Sequence, residues 1–182
     1  MAIPISDDLR WCVEEVKARL LPVRADVKWV EPENYHLTVK FLGNVEEAGI
    51  DGVIRALQRA GEESPPFVLE PRGTGFFPNH RHPRVVWVGA GGELDKAAWL
   101  GERVDTHLAG LGFEPEKNRK YHLTLGRIRS DRNLQRLVEK VQGLASSVVF
   151  PSFMVNEIQL MRSQLNRKGP EYSVLTSIPL TG

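Results

Sequence analysis

Disulfide bonds cannot hold this fold, because 182 residues contain a single cysteine, Cys12. A chain so poor in cysteine suits a reducing compartment, and the cytoplasm is the expected location. No stretch approaches the ~18 apolar residues that a membrane span requires. The segment Met-Ala-Ile-Pro-Ile-Ser-Asp-Asp has neither a basic n-region nor a long apolar core, so no signal peptide is expected. Charge of one sign is also missing: the formal net charge is +1, which selects no partner by itself. Apolar residues are not lacking. They make up 41% of the chain, which is enough for a real core and excludes a disordered protein.

Charge is uneven locally. Lys117, Arg119, Lys120, Arg127, Arg129, Arg132 and Arg136 face one acid, Asp131, and Asn79-His80-Arg81-His82-Pro83-Arg84 is a second basic knot. Such clusters can hold phosphate backbones or form solvated faces. His80 and His82 have no Cys or carboxylate beside them, so no metal site is expected.

Helical spacing places Leu9, Cys12, Val13, Val16 and Leu20 on one face of a first helix. Ser6 can cap it, Asp7 and Asp8 suit the N-terminal dipole, and Pro22 follows its end. Strands are expected at Val27–Val30 and Tyr35–Leu42, then a helix from Glu46 to Ala60, then strands at Phe67–Leu69 and Arg84–Val88. A Gly- and Pro-bearing loop, Gly73 to Pro83, is expected between the last two. The pattern then resembles itself: a helix from Glu93 to Leu111, a strand from Tyr121 to Ile128, and a helix capped by Asp131 and running to Leu144. Strands at Val148–Val149, Phe153–Met161 and Tyr172–Ile178 close the chain. The duplication has a period of 86 residues, too long for a solenoid and suited to two pseudo-symmetric lobes sharing a core.

The chemistry lies in that duplication. Tyr35-His36-Leu37-Thr38-Val39-Lys40 aligns with Tyr121-His122-Leu123-Thr124-Leu125-Gly126. Along a strand, residues i and i+2 share a face. Each His therefore points with its Thr, while the aliphatics point to the core. Core packing does not need polar pairs at equivalent places, but a cleft with two imidazoles around one substrate does. Imidazole titrates near pH 6.5, so one ring can take a proton from water while the other protonates a leaving oxygen. The Thr hydroxyls can donate to non-bridging phosphate oxygens. Lys40, at i+4 from His36, shares that face on strict alternation and is a candidate phosphate contact.

Further segments extend the match to nearly the whole chain. They include Trp29-Val30-x-Pro32-Glu33-Asn34-x-His36-Leu37-Thr38-x-Lys40-Phe41-Leu42-Gly43, then Gly73-x-Gly75-x-Phe77-Pro78 and Pro83-Arg84-Val85-Val86-Trp87-Val88-Gly89. The second half adds His122-Leu123-Thr124-Leu125-x-Arg127, Ser163-x-Leu165 and Gly169-Pro170-x-Tyr172. The chain resembles the 2H (two-histidine) phosphoesterases, and among them the RNA 2′,3′-cyclic phosphodiesterases, also known as 2′-5′ RNA ligases. The resemblance implies an α+β, bilobed fold whose pseudo-two-fold, duplicated antiparallel sheets line a central cleft, with helices outside. It implies one domain over residues 1–182, and catalysis by His36, His122, Thr38 and Thr124. The reaction implied is hydrolysis of RNA 2′,3′-cyclic phosphate ends to 2′-phosphates without metal or cofactor, with 2′-5′ ligation as the reverse.

Arg127 matches the family's arginine after the second His. Strict alternation puts it on the wrong face unless the strand ends or bulges near Gly126. Phe77 is a candidate to stack on a nucleobase. The partners implied are RNA ends or cyclic nucleotides, with no membrane and no obligatory protein partner, in a monomer. Two departures stand out. Tyr121 replaces the family's usual proline, and the first strand starts at Met1-Ala2-Ile3-Pro4, without the family's leading basic and aromatic residues. Two rival readings remain: cyclic phosphodiesterase action on a small nucleotide such as ADP-ribose 1″,2″-cyclic phosphate, or a nucleotide- or RNA-binding module without chemistry.

Overall fold

The computed structural model describes residues 1–166 and 169–182. Strand β1 (Ala2–Pro4) leads into helix α1 (Asp7–Leu20), whose N-cap Ser6 accepts from the Leu9 N–H. Strands β2 (Val27–Trp29) and β3 (His36–Thr38) flank a 3₁₀ turn at Pro32–Asn34. Helix α2 (Ile50–Glu62) and strands β4 (Phe67–Leu69), β5 (Arg72–Phe77) and β6 (Val85–Gly89) follow. The second half holds α3 (Leu94–Ala109), β7 (His122–Ile128), α4 (Leu134–Leu144), β8 (Phe153–Val155), β9 (Glu157–Asn166) and β10 (Gly169–Pro179). Among the described residues, no helix is long and apolar enough to cross a membrane.

Eight strands form one antiparallel sheet in the order β10-β9-β1-β3-β7-β6-β5, with β2 also paired to β7; β4 and β8 form a separate pair. The short first strand is therefore an interior strand. The duplication is written into the register. Leu37 pairs with Leu123 and Val68 with Met154, and each pair joins residues 86 positions apart. Antiparallel pairing of equivalent residues is what a two-fold relation between the halves requires. Each half runs β-α-β-α-β, through β3 in the first and β7 in the second. The face carrying Ile3, Leu37, Val86, Val88, Leu123 and Leu125 is buried in the core with α1–α4. The other face is left for the cleft.

Several elements differ from the sequence expectation. Gly73 to Phe77 is strand rather than loop. A Cβ at Gly75 would lie 2.5 Å from the Trp87 ring across the β5–β6 pair, so glycine serves close packing there. The expected strand Tyr35–Leu42 stops at Thr38. Helix α4 begins three residues after Asp131, whose carbonyl accepts from the Leu134 N–H in a turn. Val148–Val149 is not a strand, and Phe153–Met161 is split at Asn156 between β8 and β9.

Candidate active site

Strands β3 and β7 are neighbours, and Leu37 opposite Leu123 fixes their phase. Both leucines point into the core, so His36, Thr38, His122 and Thr124 all point to the opposite face. The two imidazoles are held alike. His36 Nδ1 lies 2.8 Å from the Asn34 carbonyl, and His122 Nδ1 lies 2.7 Å from the Lys120 carbonyl. A carbonyl only accepts, so each Nδ1 carries hydrogen, and in the neutral ring each Nε2 is the nitrogen without one. The turn Pro32–Asn34 supplies the first carbonyl, which is why β2 and β3 are separated there.

An aromatic ring meets each imidazole edge-on: Tyr172 against His36 at 5.6 Å and Phe77 against His122 at 4.8 Å. Phe77 is also 5.2 Å from Trp87 and lies beneath the Lys120 ammonium. Its neighbour Phe76 is buried in the core. The His36 pKa lies below the ordinary imidazole value. Burial is the main cause, and the positive N-terminal ammonium and His122 push the same way against the Asn34 hydrogen bond.

The register also settles the position of Arg127. Trp87 pairs with Thr124 but Val86 pairs with Gly126, leaving Leu125 as an extra residue in β7. This bulge shifts the alternation by one, so Arg127, opposite Val85 and Lys28, returns to the face of His122 and Thr124. Arg127 is exposed, and among the described residues it is in no ion pair.

Lys40 does not lie in the cleft, contrary to the expectation from alternation. Because β3 ends at Thr38, the chain turns and Lys40 is buried, 4% exposed. Its ammonium is 2.7 Å from Asp105 Oδ1 and also donates to the Glu114 carbonyl. Arg119 donates to the other oxygen, Oδ2, at 2.7 Å and to the Val39 carbonyl. A Cβ at Gly101 would lie 2.5 Å from that guanidinium, so the helix leaves room for it. Asp105 therefore joins the residues just after the first motif to those just before the second. Burial pushes its carboxyl pKa up, but the bonds from Lys40, Arg119 and the Glu116 N–H outweigh burial and hold it below the usual range. No sequence pattern singled out Asp105.

The basic run does not act as one patch. Arg119 is spent on Asp105, Lys120 lies by Phe77, and Arg127 is on the cleft face. His80 and His82 lie on the exposed loop, and His107 lies 3.0 Å from Glu63. Among the described residues, no group of three or more His, Cys, Asp or Glu is placed to hold a metal ion.

Paired imidazoles with free Nε2 atoms, two hydroxyls and a guanidinium on one antiparallel floor define a two-histidine phosphoesterase. Comparison with known proteins agrees. The family model described as LigT-like phosphoesterase matches residues 3–87 and 92–172. The chain is 38% identical over 176 residues to an RNA 2′,3′-cyclic phosphodiesterase of Methanothermobacter thermautotrophicus, covering 95% of this chain and 93% of that one. It is 37% identical to the enzyme of the same name from Archaeoglobus fulgidus, covering 96% of both. The crystal structure of TT0787 from Thermus thermophilus superposes with a TM-score of 0.82 at 28% identity, covering 100% of this chain and 96% of that one. This chain belongs to the LigT-like phosphoesterase family.

Proposed function

We propose that this protein hydrolyses RNA 2′,3′-cyclic phosphate ends to 2′-phosphates. The observation that carries the reading is the Leu37–Leu123 pairing, which sets two His-x-Thr pairs side by side on one face. In-line displacement needs a base on the water side of phosphorus and an acid on the leaving side, and two imidazoles from adjacent strands supply both. One Nε2 takes a proton from water as its oxygen bonds to phosphorus. The other imidazole protonates the 3′-oxygen as the P–O3′ bond breaks. Thr38 and Thr124 donate to the non-bridging oxygens, and Arg127 balances their charge. If a ribose 5′-hydroxyl replaces water, the same proton transfers make a 2′-5′ bond. We further read the chain as one domain of two interleaved lobes, with the two-fold axis passing between β3 and β7.

Turnover of an RNA bearing a 2′,3′-cyclic phosphate, followed by phosphorus NMR of the product, tests this reading. A 2′-phosphate is expected to predominate. Predominant 3′-phosphate would reverse the placement of the leaving group, and no turnover would overturn the reading.

The pH profile gives a second test. A reaction needing one neutral and one protonated imidazole is bell-shaped, and its acid limb follows the lower of the two macroscopic pKa values. His36 is depressed, so its neutral form persists further into acid than that of an ordinary imidazole. The acid limb of kcat/KM is therefore expected to have its midpoint below about 6.5. A midpoint at or above that value, with chemistry rate-limiting, would contradict the effect of His36 burial.

A further inference from the structure

Both histidines follow a tyrosine, and the two tyrosines are used alike. Tyr35 precedes His36, and Tyr121, the equivalent residue of the second half, precedes His122. A residue next to a cleft-facing histidine on a strand points to the opposite, core face. Tyr35 is 3% exposed, and Tyr121 packs against the core. Each hydroxyl reaches the first helix of its own half. Tyr35 donates to Glu14 Oε1 on α1 at 2.6 Å, and Tyr121 donates to the Ala97 carbonyl on α3 at 2.5 Å. Burial raises both hydroxyl pKa values, that of Tyr121 to about 12, so both stay protonated and act as donors near neutral pH. A buried tyrosine hydroxyl finds a partner wherever it lies, so one such bond carries little weight. Its recurrence immediately before each histidine carries more.

The peptide plane is the link. The carbonyls that hold the two Nδ1 atoms belong to Asn34 and Lys120, and each shares a planar peptide unit with the tyrosine that follows it. Fixing the tyrosine therefore fixes the direction of that carbonyl. Each helix grips the same segment at further points. Arg10 donates to the Pro32 carbonyl, and Lys17 donates to the Val30 carbonyl at 3.0 Å. With Glu14 these side chains stand at i, i+4 and i+7, on one face of α1. On α3, Asp105 holds Arg119, two residues before Tyr121. We propose that Tyr35 and Tyr121 are positioning residues, each using its hydroxyl to tie to a helix the carbonyl that orients one imidazole. The catalytic consequence rests on the phosphodiesterase reading above. Phenylalanine would fill the same space, so the hydroxyl serves the tie and not the packing. A carbonyl that drifts releases Nδ1. The neutral ring is then free to carry its hydrogen on Nε2, the nitrogen that must be bare to take a proton.

Tyr35→Phe and Tyr121→Phe, each in the full chain, test the tie by two measurements. One is nitrogen NMR of the imidazoles on protein carrying isotope-labelled histidine, and the other is turnover of adenosine 2′,3′-cyclic monophosphate. In the wild type, at a pH where the rings are neutral, hydrogen is expected on Nδ1 of both His36 and His122. Tyr35→Phe should raise the fraction with hydrogen on Nε2 at His36 alone, and Tyr121→Phe should do so at His122 alone. Each variant should lower kcat by about 10- to 100-fold with KM little changed, since a misplacement of ~1 Å can cost ~10²-fold. A merely structural hydroxyl would lower the melting temperature, but would not shift the nitrogens of one chosen ring or kcat measured well below that temperature. Unchanged nitrogen shifts in either variant, or unchanged kcat in either, would overturn the tie whatever happens to stability. A wild type that turns over no cyclic phosphate would overturn the underlying reading, and the nitrogen shifts would still decide the tie.

Discussion

His36→Ala and His122→Ala are each expected to lower kcat on a 2′,3′-cyclic phosphate by about 10²–10⁴-fold, the usual worth of a positioned acid or base. Each imidazole is partly buried at the start of its strand, with Nδ1 bound to a local carbonyl. Removing either ring leaves the Leu37–Leu123 contact and the core beneath it untouched. The losses should therefore appear in kcat at an unchanged melting temperature. The double variant should lose little more than the single ones, because displacement needs the acid and the base together. Near-normal turnover in either single variant would rule out two-histidine catalysis.

The second large effect is structural. Asp105→Asn removes the one carboxylate between Lys40 and Arg119, whose charged groups are almost fully buried. Leaving cations buried without their counter-charge costs about 3–5 kcal/mol. At about 2–4 °C per kcal/mol for a domain of this size, the melting temperature should fall by roughly 6–20 °C. Replacing the whole triad with apolar residues, as Lys40→Met, Asp105→Leu and Arg119→Met together, should restore most of that loss, because the cost lies in unpaired charge. The pH dependence has a definite sign. The depressed Asp105 pKa contributes stability above its unfolded value of about 3.9, and that stability is lost as pH falls through the lower folded value. Thermal unfolding of the two variants measures all of this. A shift of under 2 °C for Asp105→Asn would show that the triad is solvated.

The central motif was legible because it occurs twice. His-x-Thr on one strand is ambiguous, but the 86-residue repeat carried the same polar pair into the same strand context, and the register then joined equivalent residues. What failed was local phase. Strict alternation points Lys40 into the cleft, but β3 abandons that alternation after Thr38. Arg127 reaches the cleft face only through a bulge, for which Gly126 is the sole hint in the sequence. Gly73 and Gly75 read as loop because glycine normally punctuates, yet Gly75 is required by the width of Trp87, twelve residues on. Asp105 gave no signal, since an acid on an amphipathic helix usually faces water. Its two cationic partners come from segments 65 and 14 residues away.

The extra residue at Leu125 has a consequence for how this chain tolerates length changes. It acts as a half-step in the strand, letting an odd spacing put two polar residues on one side. Deleting it would leave both His-x-Thr motifs intact but return β7 to strict alternation. Because the deletion removes one residue as it restores alternation, Gly126, whose missing side chain makes room for Val27, would stay on the core face and the Arg127 guanidinium would stay on the cleft face. Keeping Leu125 but drawing it into regular pairing would instead turn the guanidinium toward the helices and Gly126 into the cleft, with every residue associated with the reaction still present. In this fold, the match between the spacing from His122 to Arg127 and the bulge that offsets it matters as much as the identity of either residue.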